Sequence, residues 1–244
     1  MRWALGVLLS LIAFPALADA PPKGVSTQVA EGSVGPYRAG LNLVVRDNLT
    51  VEDAHYYYAR TGQDIPLQVA AQGETFKLDE PGGGHFELHL TNADTAEPRP
   101  LNFYTSTGLA GTWTRKGKTL PVSFGFTTVL NGPNPDRWYA DVTGESDAQF
   151  EARVRSFLGG VLSGNVAQAA ARVSWPLVVN GQRRTTIRNR AALAARWKVL
   201  FTPAAIAALQ GAIPHEMFVR DGMAMIAGGA VWFDARGAKT LNLP

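Results

Sequence analysis

The sequence predicts two structural units: an all-β antiparallel meander closed into a barrel or sandwich over residues 37–130, and an α+β cone, helices packed on a curved antiparallel sheet, over 146–244. Three observations carry this. From Tyr37 onward, short β-rich runs recur at even spacing between turn residues, with no helical period among them. Asn131 to Pro135, an Asn-Gly-Pro-Asn-Pro run, then interrupts regular structure, because two prolines and a glycine continue neither strand nor helix. After it the grammar changes, with apolar residues at helical spacing first and strands last.

In the first unit, residues 19–36 are rich in Gly, Pro, Ser and Thr and read as a flexible lead-in. Strands follow near Leu41 to Arg46, Ala54 to Ala59, Ile65 to Ala70, Thr75 to Leu78, His85 to Thr91, Leu101 to Tyr104, Leu109 to Arg115 and Leu120 to Thr127. Gly111-Thr112-Trp113, on a late strand, reads as a barrel-floor aromatic. Residues 131–145 form the linker.

In the second unit, Ser146 and Gln149 form a capping box for a helix whose apolar positions are Phe150, Val154, Phe157, Leu158 and Val161. A short helix near Val166 to Arg172, a strand at Trp175 to Val179 and an Asn180-Gly181 turn into Arg183 to Ile187 come next. Asn189 and Thr202-Pro203 each start a helix. The chain ends in strands at Glu216 to Arg220, Met223 to Phe233 and Lys239 to Leu243, with Gly228-Gly229 read as a bulge in the long middle one.

Residues 1–18 read as a secretory leader: a basic Arg2, an apolar run from Ala4 to Phe14 and a small-x-small site at Ala16-Leu17-Ala18, with cleavage after Ala20 as the alternative. The chain has no cysteine, hence no disulfide framework, thiolate metal site or lipidated cysteine. Export without disulfides points to a bacterial periplasm. Charge is uneven: residues 19–135 carry 9 basic and 12 acidic side chains, and residues 136–244 carry 13 and 8. The basic second half implies an anionic neighbour, and an exported chain without an aromatic-basic platform excludes nucleic acid.

Through Phe157-Leu158, Trp175-Pro176-Leu177-Val178-Val179, Phe201-Thr202-Pro203 and Gly222 to Phe233, the second half resembles the nuclear transport factor two-like, or ketosteroid-isomerase-like, group of bacterial exported proteins. The first half resembles small β-barrel domains of periplasmic proteins, through His55-Tyr56-Tyr57-Tyr58, Ile65-Pro66-Leu67, Gly111-Thr112-Trp113 and Leu120-Pro121-Val122. The first resemblance implies a pocket inside the cone, for which Trp175, Trp197, Phe201, Met217, Met225 and Trp232 are lining candidates; ordinary core packing uses the same residues. It also implies pairing of two copies through the open sheet.

Three other patterns could carry chemistry. Strand alternation puts His85, Glu87 and His89 on one face, a zinc-ligand set that is also what the wet face of an amphipathic strand looks like. Arg183, Arg184, Arg188 and Arg190 cluster around a turn and a helix start, where planar donors suit lipid headgroups, acidic glycans or acidic protein, or simply a solvated surface. His215 and Glu216, adjacent on an expected strand, should point to opposite faces and share no proton. No nucleophile elbow, metalloprotease helix, P-loop or dinucleotide fingerprint is present, and no cofactor is implied.

The reading that follows is an exported binding protein without catalysis, its partner a small apolar ligand, an envelope component or another periplasmic protein. The alternatives are an enzyme using the cone pocket for isomerase, dehydratase or hydrolase chemistry, and an inhibitor of a cell-wall lytic enzyme.

Overall fold

The computed structural model describes residues 23–92 and 101–242. The leader expected at 1–18 lies outside the described residues. Eight strands form a closed barrel: β1 (Val25–Val34), β2 (Tyr37–Arg46), β3 (Thr50–Tyr58), β4 (Ile65–Ala71), β5 (Phe76–Asp79), β6 (His85–Thr91), β7 (Gly108–Arg115) and β8 (Lys118–Asn131). Each pairs antiparallel with the next, and β1 closes the ring on β8. Closure leaves no free sheet edge. Inward residues such as Leu41, Leu43, Tyr56, Phe86, Leu88 and Phe124 fill the interior, which is a packed core of its own.

The lead-in reading is corrected here. Most of residues 19–36 that the structure describes are strand β1, bonded on both sides. Its small residues suit close approach to β8: a Cβ on Gly32 would run into the Ser123 carbonyl oxygen. Leu101 to Tyr104 is not a strand. Asn102 Oδ1 accepts from the Tyr104 and Thr105 amides, both at 2.9 Å, and the resulting turn drops Phe103 into the barrel core. At the opposite end, Trp113 Nε1 and Tyr56 Oη donate to the buried Glu80 Oε1 at 2.5 and 2.6 Å, so Trp113 does close the barrel floor.

The rest of the chain builds a six-stranded sheet with helices. The helices are α1 (Asp147–Leu162), α2 (Val166–Ala170), α3 (Arg190–Leu200) and α4 (Pro203–Gln210). The strands are β9 (Val173–Asn180), β10 (Thr185–Ile187), β11 (Phe218–Arg220), β12 (Met223–Ile226), β13 (Val231–Asp234) and β14 (Gly237–Asn242), in the order β10-β9-β14-β13-β12-β11. The expected capping box is present at Ser146 and Gln149, and Asn189 and Thr202 cap α3 and α4. Phe150, Val154, Phe157 and Val161 of α1 pack with Leu177, Phe233 and Leu241 of the sheet in a second core. No single helix among the described residues is long and apolar enough to cross a membrane.

Two expectations for this sheet change. It is mixed rather than antiparallel, since β14 runs parallel to β9. The long strand from Met223 to Phe233 is a hairpin: Ala227, Gly228 and Gly229 all have positive φ (51°, 61° and 91°), and the chain reverses so that Ile226 faces Val231. Two glycines in sequence make that left-handed turn accessible, where a bulge needs only one. Nor is the stretch after β8 a bare spacer: Tyr139 lies wholly buried in the second core, and its amide and that of Trp138 donate to Asp147.

Candidate functional site

The densest cluster of titratable side chains lies where the barrel meets the second sheet. On β2 and β3, residues opposite in parity to the barrel core point outward, namely Asn42, His55 and Tyr57. Glu151 of α1, Tyr139 and the irregular segment before β11, His215-Glu216, meet them. Glu216 Oε1 accepts from Asn42 Nδ2 at 2.8 Å and lies 2.9 Å from His55 Nε2. His215 sits between two carboxylates, with Nε2 at 2.8 Å from Asp64 Oδ1 and Nδ1 at 3.0 Å from Glu151 Oε2. Its ring meets Tyr57 edge-on, with centroids 4.2 Å apart. Tyr139 Oη donates to Glu151 Oε1 and accepts from the Met217 amide, and Arg155 reaches Glu151 at 3.3 Å.

Both ring nitrogens of His215 face carboxylates, so the ring is an imidazolium. Burial works against its charge, but the bonds to Asp64 and Glu151, with the charges of Glu151 and Glu216, outweigh it and raise the pKa to about 10. His55 follows the same pattern: burial lowers it, and Glu216 and Asp64 raise it further than burial lowers it. Asp64 is held below the usual carboxylate range, since the two imidazoles overcome its own burial. His55, His215 and Arg155 thus face the side chains of Asp64, Glu151 and Glu216. An imidazole that serves as a general base near neutral pH must offer an unprotonated nitrogen. His215 offers none. Asn42 and Tyr57 are fully buried and Glu216 nearly so, while Asp64 is half exposed; Asn42 Oδ1, Tyr57 Oη and Glu216 Oε2 are buried without partners.

Sequence alternation misplaces this pair. His215 and Glu216 precede β11 instead of lying on it, and Glu216 has φ 46°, which lets both side chains turn toward the barrel. Asp64 and Glu151 have no sequence signal linking them to either histidine. The one available hint is the alternation in His55-Tyr56-Tyr57-Tyr58, which places His55 and Tyr57 together on the outer face.

The six residues expected to line a cone pocket do not surround one space. Phe201 and Met217 belong to the second core, with Trp175 and Trp197 packed against it. Met225 and Trp232 are direct partners across β12 and β13, offset by one residue from the core-facing Ala224, Phe233 and Val231. They lie on the opposite face of the sheet. The space between α4 and the sheet, lined by Phe201, Leu209, Val231 and Leu241, is about 10 Å³, room for one water at most.

His85, Glu87 and His89 share the outer face of β6, as alternation requires. His85 Nδ1 lies 2.8 Å from Asp79 Oδ1, and Glu87 pairs with Lys77 across β5. Among the described residues, no group of three or more His, Asp or Glu is placed to hold a metal ion. The zinc reading is therefore set aside in favour of a charged strand face.

The arginine cluster has a different character. Arg183 and Arg184 occupy the bend between β9 and β10, and Arg188 and Arg190 flank Asn189, whose Oδ1 caps α3 through the Ala192 amide at 2.9 Å. All four are exposed, and among the described residues none forms an ion pair. The sequence has no Asp or Glu between Glu151 and Glu216, while Arg196 and Lys198 extend the basic surface along α3. The first turn of α3 has no acidic residue and carries Arg190 at its positive dipole end. β10 adds an edge strand with unpaired backbone groups. The arrangement favours an anion at the start of α3. No protein-family model, curated protein or solved structure matches this chain.

Proposed function

We propose that this is an exported, non-enzymatic protein that docks on an anionic envelope surface through the β9–β10 bend and α3, with phosphate-bearing lipid headgroups as the chemistry that fits. The observation that carries it is the set of unpaired, exposed Arg183, Arg184, Arg188 and Arg190 within a stretch devoid of carboxylates. Val199, 76% exposed beside Lys198, adds an apolar contact of the kind a headgroup layer accepts. Export rests on the leader pattern of residues 1–18, and the cysteine-free chain suits a periplasm. Binding is favoured over acid–base chemistry because both ring nitrogens of His215 are engaged by Glu151 and Asp64 and the space between α4 and the sheet is filled.

Near an anionic surface each basic side chain contributes about 1 kcal/mol, so reversing two should lower vesicle partitioning by roughly thirtyfold or more. The test is cosedimentation of wild type and Arg183→Glu/Arg184→Glu with phosphatidylglycerol-containing vesicles, neutral vesicles and purified cell wall. Retention on anionic vesicles, lost in the double variant, supports the reading; equal retention of both proteins overturns it, and retention on cell wall alone moves the partner to an acidic glycan.

A further inference from the structure

Trp113 closes one end of the barrel, and a cavity lies at the other. There β1 and β8 enclose, with the turn carrying Phe103 to Ser106, a cavity of about 360 Å³. Phe103 forms its base, its ring 5.3 Å from Phe76 and 6.0 Å from Phe126. Tyr104 and Val129 form the walls. Four of the seven exposed large hydrophobic residues among those described, Leu49, Leu101, Tyr104 and Val129, belong to turns or strand ends at this one end of the barrel. Single exposed apolar residues are ordinary, but a set gathered at one opening marks a contact surface.

Two polar atoms in the cavity wall are unspent. Gln28, 2% exposed on β1, donates from Nε2 to Ser26 Oγ at 3.3 Å and leaves its buried Oε1 without a partner. Ser106 Oγ is likewise buried and unpartnered. Buried polar atoms normally have partners, and an acceptor plus a hydroxyl are what a ligand head with both donor and acceptor completes. Among the described residues, Lys23 is the single charged one on the wall.

We infer that the end of the barrel opposite Trp113 binds a small uncharged ring compound bearing a hydroxyl or carboxamide. With the Gln28 and Ser106 side chains rotated toward the cavity, the head donates to Gln28 Oε1 and accepts from the Ser106 hydroxyl, and the ring packs against Phe103, Phe126 and Val129, where edge-to-face contacts are available. The volume lies at the low end of ligand pockets, which fits one ring and excludes long-chain lipids. This site is separate from the arginine face and goes beyond the docking proposed above.

Calorimetric titration of the purified protein with benzyl alcohol, benzamide, toluene and benzylammonium tests it. Benzyl alcohol and benzamide bind saturably, about tenfold tighter than toluene or benzylammonium. Gln28→Leu removes that tenfold preference and leaves toluene binding in place, with circular dichroism confirming the fold. Val129→Trp, at an exposed position that does not threaten folding, blocks all four. Absence of saturable binding to wild type, equal affinity for toluene and benzyl alcohol, or undiminished binding to Val129→Trp overturns the inference. Vesicle retention is unchanged in both variants, so this site and the docking face fail independently.

Discussion

His215 carries more of the molecule's coherence than its neighbours in sequence suggest. It joins Asp64 of the barrel to Glu151 of α1; without it the buried Glu151 keeps only Arg155 and Tyr139, and the half-exposed Asp64 keeps only His55 at 3.8 Å. His215→Ala should therefore cost about 2 kcal/mol of stability in urea unfolding, beyond an ordinary surface substitution. The pH dependence has a definite sign. Because the folded pKa values of His55 and His215 are raised, their contribution is complete below the ordinary imidazole value of 6.5; that of His215 is lost as pH rises toward about 10, and that of His55 as pH rises through its own raised value. Asp64, depressed, gives the opposite flank, present above its ordinary value and lost as pH falls. The melting temperature of wild type should fall between pH 7 and 10, and the His215→Ala curve should be flatter there. Little of this joint is legible in sequence, since the side-chain partners of His215 and Glu216 lie 64 to 174 residues away and are brought together only by docking of the barrel on α1.

At the level of elements, local rules hold where local forces decide. β6 spans His85 to Thr91 because alternation and flanking turns agree, and α1 begins at Ser146 because the capping box satisfies its first amides. They fail where long-range pairing decides. β1 has the composition of a tether, yet bonds to β2 and β8 make it the closing strand. Gly32→Ala should destabilise the barrel by several kcal/mol, because the clash is with backbone and cannot be relieved by a rotamer. A chain beginning at Tyr37 should lose the near-ultraviolet dichroism that the barrel aromatics contribute, whereas a true lead-in would be dispensable. The β12–β13 hairpin fails for a related reason: Gly228-Gly229 is compatible with both a bulge and a turn, and only pairing of Met225 with Trp232 selects the turn.

Across the whole molecule, charge is sorted. Histidines and acids with partners are concentrated at the joint and on barrel strands, while Arg183, Arg184, Arg188 and Arg190 face outward without partners. The arginine cluster and the excess positive charge of the second half are legible in the sequence; that the four side chains are exposed and unpaired is visible only once β10 is placed at the sheet edge. Screening then sets the behaviour, because exposed charges lose their reach as the Debye length shortens to about 3 Å at 1 M salt. The most direct test of the docking surface is the partition coefficient on phosphatidylglycerol vesicles across a salt series, for wild type and Arg183→Glu/Arg184→Glu. The proposed docking predicts strong binding at low salt that falls steeply with salt for wild type and is weak throughout for the variant; salt-independent binding, or the same curve for both proteins, would contradict it.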